Sequence, residues 1–122
     1  EYGMKVLMHS CGKNWDILED LCDCGVDVFQ FDQPAVYDML ALADLFRRRK
    51  VALYSPVDIQ KVLPTGDKAF IQAETNRMYD LFDGFIIGKV YPDLAGIGVK
   101  EEWDDWSYEA ICSRYGLNVA PI

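Results

Sequence analysis

Apolar residues gather into four short runs along the chain. Each run is followed by a polar cluster and then by a stretch with helical spacing. The first run, Lys5-Val6-Leu7-Met8, reads as a buried strand continuing to His9, with Ser10, Cys11 and Gly12 at its tip. The second is Val26 to Phe31 (VDVFQF), ending at Asp32-Gln33. The third is Val51 to Tyr54, with Ser55-Pro56-Val57-Asp58-Ile59-Gln60 as its tip. The fourth is Phe85 to Ile87, followed by Gly88-Lys89-Val90-Tyr91-Pro92-Asp93.

Between the runs, apolar positions recur every three or four residues, the period of a helix with one buried face. Ile17, Leu18, Leu21 and Cys22 form the first such stripe, between a cap at Asn14 and a stop at Gly25. Val36, Met39, Leu40, Ala43 and Phe46 form the second, with Pro34 suited to a first helical turn. Phe70, Ile71, Met78, Leu81 and Phe82 line the third, after the turn Pro64-Thr65-Gly66 and a capping Asp67. The fourth buries Trp103, Trp106, Ala110 and Ile111, follows the Gly-rich loop Ala95 to Gly98, and stops at Gly116.

The order is therefore βαβαβαβα. Strands alternating with helices, with no hairpin turns, predict an α/β fold with a parallel sheet and right-handed crossovers. All four polar tips then lie at strand C-termini, where α/β proteins place their sites. Four units are half of an eightfold (β/α) barrel, which typically takes about 250 residues. A self-sufficient four-stranded open sheet is the alternative. The 122 residues make one domain or one fragment, residues 1–122. A half-barrel leaves two unpaired strand edges and one uncovered face. Val6, Met8, Val28, Val51, Leu53 and Ile86 are strand residues, some of which must point to that face. The expectation is a homodimer, or a piece of a longer polypeptide that supplies the other half.

Composition narrows the function. The formal charge is −8, from 12 Lys and Arg against 20 Asp and Glu. That opposes nucleic acid as a partner, because phosphate binding needs clustered cations. The one basic run, Arg47 to Lys50, falls at the end of the second helix, where it offsets the helix dipole. No apolar run approaches the roughly 18 residues that span a membrane, and no signal peptide is visible. Cys11, Cys22, Cys24 and Cys112 show no Cys-x-x-Cys spacing, and a core of this size needs no disulfides. The expected location is a reducing cytoplasm. Cys22 and Cys112 read as packing residues. Cys24 sits at the far end of its helix from His9.

Candidate chemistry starts at His9 and Cys11. Alternation along a strand points both to one side and Ser10 to the other. An imidazole and a thiolate so placed are half of a zinc site. Asp32 and Asp58, at neighbouring tips, are candidates to add an oxygen ligand, to bind a polar substrate, or to cap the following helices. Gln33, Gln60 and Tyr91 are further substrate-binding candidates. Lys89 is placed to meet a carboxylate or phosphate, or to stay solvated.

His9-Ser10-Cys11-Gly12, Phe31-Asp32-Gln33-Pro34, Pro56-Val57-Asp58-Ile59-Gln60 and Tyr91-Pro92-Asp93, in that order, resemble the C-terminal half of the uroporphyrinogen decarboxylase superfamily. The resemblance covers nearly the whole chain. It implies the second half of a TIM barrel. It also implies one of two activities: zinc-dependent methyl transfer from a methylated corrinoid, free or protein-bound, or decarboxylation of a tetrapyrrole carboxylate. His-x-Cys on this strand is similar to the methyltransferase zinc motif. The family's third zinc ligand, a cysteine after the last strand, has no counterpart in Gly88-Lys89-Val90-Tyr91. The decarboxylase histidine of that stretch is missing too, and the decarboxylase's arginines and central aspartate belong to the other half. A third expectation is a non-catalytic binding or assembly half-barrel.

Overall fold

In the computed structural model, which describes residues 2–118, four strands form one sheet in the order β1-β2-β3-β4. They are β1 (Leu7–His9), β2 (Val28–Gln30), β3 (Ala52–Ser55) and β4 (Ile86–Gly88). Every neighbouring pair is parallel. The helices are α1 (Trp15–Asp23), α2 (Met39–Arg49), α3 (Lys68–Leu81) and α4 (Glu101–Arg114). Short 3₁₀ turns at Pro34–Val36, Leu63–Thr65 and Ala95–Ile97 shape the connections at the strand C-termini.

The register lines up Met8, Phe29, Leu53 and Ile86 across the sheet. These four belong to one apolar cluster with Leu18 of α1, Leu42 and Phe46 of α2, Met78 of α3 and Ile111 of α4. All four helices therefore pack on the same side. Phe29, Phe31, Phe46 and Phe82 form its centre, with Phe29 stacked on Phe46 at 5.2 Å between ring centroids. A second cluster joins Val57, Ile59, Val62, Leu63, Ile71 and Val99, closing the loop layer over the strand tips, with Trp103 and Trp106 against it.

The alternate strand residues point the other way. Leu7, Val28 and Ala52 form one row, and His9, Gln30, Tyr54 and Ile87 the next. Among the described residues, no helix covers them. Leu7 is 53% exposed and Ile87 48%, while Phe29 and Leu53, one residue along, are at 0%. Of the strand residues expected near an uncovered face, Val28 lies on it. Met8, Leu53 and Ile86 face the helices, and Val51 is buried.

Several local expectations change. The strands are shorter than their apolar runs, and Val6 and Leu7 of the first are exposed rather than buried. Asn14 precedes α1 without capping it. Its amide turns back to Ser10 Oγ and to the Cys11 carbonyl at 3.2 Å, tying the β1 tip together. Pro34 starts a separate 3₁₀ turn, and α2 begins only at Met39, where Asp38 accepts from the Ala41 N–H at 3.0 Å. Ile17, Leu40 and Phe70 fit their apolar stripes by spacing but are exposed, because the sheet is too small to reach around each helix. Trp103 and Trp106 are half-buried rather than fully enclosed. Asp67 caps α3 as the sequence suggests, accepting from Phe70 N–H at 3.1 Å. The basic residues Arg47 to Arg49 do end α2. Cys112 is buried, and all four cysteines are free thiols.

Candidate functional site

The uncovered face carries a continuous line of polar contacts at its C-terminal rim. His9 ends β1, and its ring Nδ1 is hydrogen-bonded to Gln30 Oε1. Gln30 ends β2, directly opposite His9 in the register, and donates from Nε2 to Asp32 Oδ1 at 2.7 Å. Lys89, just past β4, reaches the same Asp32 oxygen at 3.2 Å. Its ammonium also lies over the Tyr54 ring of β3, 5.7 Å from the centroid. At the other end of the line, Cys11 Sγ is 3.3 Å from His9 Nε2. One side chain or more from each of the four strand units thus meets in a single layer.

Alternation explains the assembly. Residues 9 and 11, 30 and 32, and 87 and 89 have the parity of the uncovered face. Parallel in-register pairing brings them level. The Asp32 and Lys89 side chains are only 12% and 17% exposed, so their ion pair is shielded, as is the neighbouring Gln30. A carboxylate can act only as an acceptor.

The structure brings His9, Cys11, Asp32 and Lys89 together. It sets Asp58 apart. That residue is 2% exposed, and its carboxylate accepts from the backbone N–H groups of Ala35 at 2.9 Å, Gln60 at 2.8 Å and Lys61 at 2.6 Å. It pins the loop after β3 to the loop after β2. Gln60 is exposed and takes part through its backbone alone. Gln33 is half-buried at the head of the Pro34 turn, and Tyr91 packs against the second apolar cluster. Gln30 and Tyr54 were not among the sequence candidates. Gln30 was legible as a polar residue inside VDVFQF with the same parity as Asp32; Tyr54 carries no such signal.

His9 and Cys11 fit half of a zinc centre. Zinc–sulfur and zinc–nitrogen bonds of about 2.3 and 2.0–2.1 Å at a tetrahedral angle put the two donors about 3.5 Å apart. The separation here is 3.3 Å. The opposite ring nitrogen is held by an amide oxygen, as is usual for ligating histidines. Among the described residues, no group of three or more His, Cys, Asp or Glu side chains is arranged to hold a metal ion. Among the described residues His9 and Cys11 are thus two donors without a third beside them.

A cavity of about 410 Å³ lies on the helix side of β4, between Gly88, Tyr79 and the Asp104, Tyr108 and Tyr115 side of α4. A Cβ at Gly88 would run into the Tyr79 hydroxyl. Burial, with Asp105 adding repulsion, pushes the Asp104 carboxyl up to about 6. Burial first, then Tyr115, pushes the Tyr79 phenol up to about 12. Lys89 lines this cavity too, so it adjoins the β4 end of the polar line.

Comparison with protein-family models, with curated proteins and with solved structures finds no match. Among the described residues, no helix is long and apolar enough to cross a membrane.

Proposed function

We propose that the chain is the C-terminal (βα)4 half of a TIM barrel of the uroporphyrinogen decarboxylase type, and that its uncovered face is the inner wall of that barrel. Strand order supports the reading. Sequential parallel strands with right-handed crossovers keep every helix on one side, as around a barrel, whereas doubly wound sheets reverse their order and cover both faces. The exposed residues of β1 and β4 then mark where the remaining half joins, as the rest of a longer polypeptide or as a second copy.

The activity we propose is methyl transfer from a methylated corrinoid to a thiol or similar acceptor. The observation that carries it is the pairing of His9 Nε2 with Cys11 Sγ at 3.3 Å on that face. These two residues would hold zinc. Zinc, when bound, lowers the pKa of an acceptor thiol and so supplies a nucleophile at neutral pH. The chain's own residues do the positioning. Gln30 holds the His9 ring, Asp32 and Lys89 brace Gln30, and the low exposure of that pair limits water at the rim. In the transfer a sulfur–carbon bond forms, and the cobalt–carbon pair stays with cobalt. The thiol proton leaves to solvent.

Tetrapyrrole decarboxylation is the competing reading. It needs cations free to hold carboxylates, and Lys89 is already matched by Asp32. Methylcobalamin and a small thiol, mixed with the zinc-loaded protein, test the proposal through the cobalamin absorbance change. The expected rate depends on zinc and falls to background in His9→Ala and Cys11→Ala. Turnover that survives both substitutions would refute it, as would release of carbon dioxide from a tetrapyrrole carboxylate by metal-free protein.

A further inference from the structure

We infer that Gln30 is a positioning residue that fixes His9 as its Nδ1–H tautomer and so turns the Nε2 lone pair toward Cys11. The hydrogen-bond line starts from its charged end, at Lys89 and Asp32. Lys89 can only donate, and its partner Asp32, as a carboxylate, can only accept. Gln30 meets Asp32 at 2.7 Å, so the group facing Asp32 must be the amide NH₂. The amide oxygen then faces His9, and an oxygen there requires a proton on Nδ1. In neutral imidazole the other nitrogen is left bare, and that nitrogen is the one 3.3 Å from Cys11 Sγ. Before any metal arrives, the Cys11 thiol has an acceptor there. When a metal arrives, the lone pair is already aimed at it.

Each link depends on the next, so a charge pair at β4 and the β2 tip controls a tautomer on β1. A free histidine side chain favours the opposite tautomer, with the proton on Nε2, which would point an N–H at the metal position. The consequence for metal binding rests on the reading of His9 and Cys11 as zinc ligands. The tautomer itself does not, and it is measurable without metal.

The chain contains one histidine, so its imidazole nitrogens can be read without assignment. Long-range ¹⁵N–¹H correlation on metal-free protein at about pH 8.5, where an ordinary imidazole is neutral, reports which nitrogen carries the proton. The expected spectrum has a protonated-type shift at Nδ1 and a bare-type shift at Nε2. A proton on Nε2 would overturn the inference. Asp32→Asn sharpens the result, because an asparagine can donate as well as accept and no longer dictates how Gln30 turns. A mixture of tautomers is expected; an unchanged spectrum would remove Asp32 from the relay. Gln30→Glu keeps an acceptor for Nδ1–H and should keep the tautomer, whereas Gln30→Leu should release it. Zinc affinity should fall about tenfold to a hundredfold in Gln30→Leu, the usual cost of losing a partner that orients a ligating histidine. If Gln30→Leu does not fold, the wild-type and Asp32→Asn spectra still decide. An Nδ1–H tautomer in protein that binds no zinc would end the zinc reading and leave this one standing. Zinc binding by an Nε2–H protein would do the reverse.

Discussion

The two faces of this sheet are written by alternate residues of the same strands, and they have opposite fates. On one, Met8, Phe29, Leu53 and Ile86 meet all four helices in a closed apolar cluster. On the other, Leu7, Val28 and Ala52 face no helix, and the row above them is His9, Gln30, Tyr54 and Ile87. The first face provides the stability of the isolated chain. The second contributes little to it and collects the chemistry. On the open face it is mutual hydrogen bonds, not apolar packing, that hold His9, Gln30 and Asp32 in place.

The largest effects should come from the closed face. Leu53→Ala leaves a cavity among fully buried neighbours and is expected to cost about 3–5 kcal/mol in urea unfolding. Leu7→Ala, at a position 53% exposed, should cost under about 1 kcal/mol in the isolated chain. Equal losses at the two positions would mean that the second face is covered in solution, and sedimentation would then show what covers it.

The same contrast separates two aspartates that look alike in sequence. Asp58 holds three backbone N–H groups in a buried turn. Asp58→Ala should cost about 2–4 kcal/mol, because hydrogen bonds to a charged group are strong and the donors are left unmet. Asp32→Ala should cost less, about 1–2 kcal/mol, because it leaves one shielded ammonium and one amide NH₂ without their acceptor rather than three buried backbone donors. Its larger effect should be on zinc affinity. A reversed order of stabilities would exchange the structural and functional roles assigned to them.

A smaller effect lies at the β4 edge. Asp104 has a carboxyl raised from 3.8 to about 6, chiefly by burial. A raised carboxyl favours the folded state while protonated. Its contribution is fully present below about 3.8 and is lost as pH rises through about 6. Asp104→Asn should therefore leave stability unchanged below pH 4 and raise it above pH 6. After allowance for solvent screening of a partly exposed group, the gain is about 1 kcal/mol. A gain of the same size at pH 3.5 would show that the effect is not ionisation.

Much of this arrangement was legible in the sequence. The βα alternation, the parallel sheet and the C-terminal position of the polar tips follow from periodicity and the absence of hairpin turns. His9 and Cys11 share a side because strand parity requires it. Helix starts were less legible. Pro34 and Asn14 both look like first-turn residues, yet the chain between β2 and α2 turns once more before Asp38 caps the helix, and Asn14 serves the β1 tip instead. Exposure of Ile17, Leu40 and Phe70 was not legible either, since spacing marks a stripe but not how far the neighbouring layer extends. The split between Asp32 and Asp58 depends on loop paths that no local pattern encodes. Gln30 lacked a motif, and only the register reveals that it sits between His9 and Asp32.

We propose that the open face binds a metal through His9 and Cys11. Cobalt(II) titration of the zinc-free chain addresses it most directly, since a sulfur-to-cobalt absorption band reports a thiolate ligand. The expected band saturates at one equivalent, is lost in Cys11→Ala, is lost or greatly weakened in His9→Ala, and is altered when an exogenous thiol joins the site. No band, or one that persists in both variants, would contradict it.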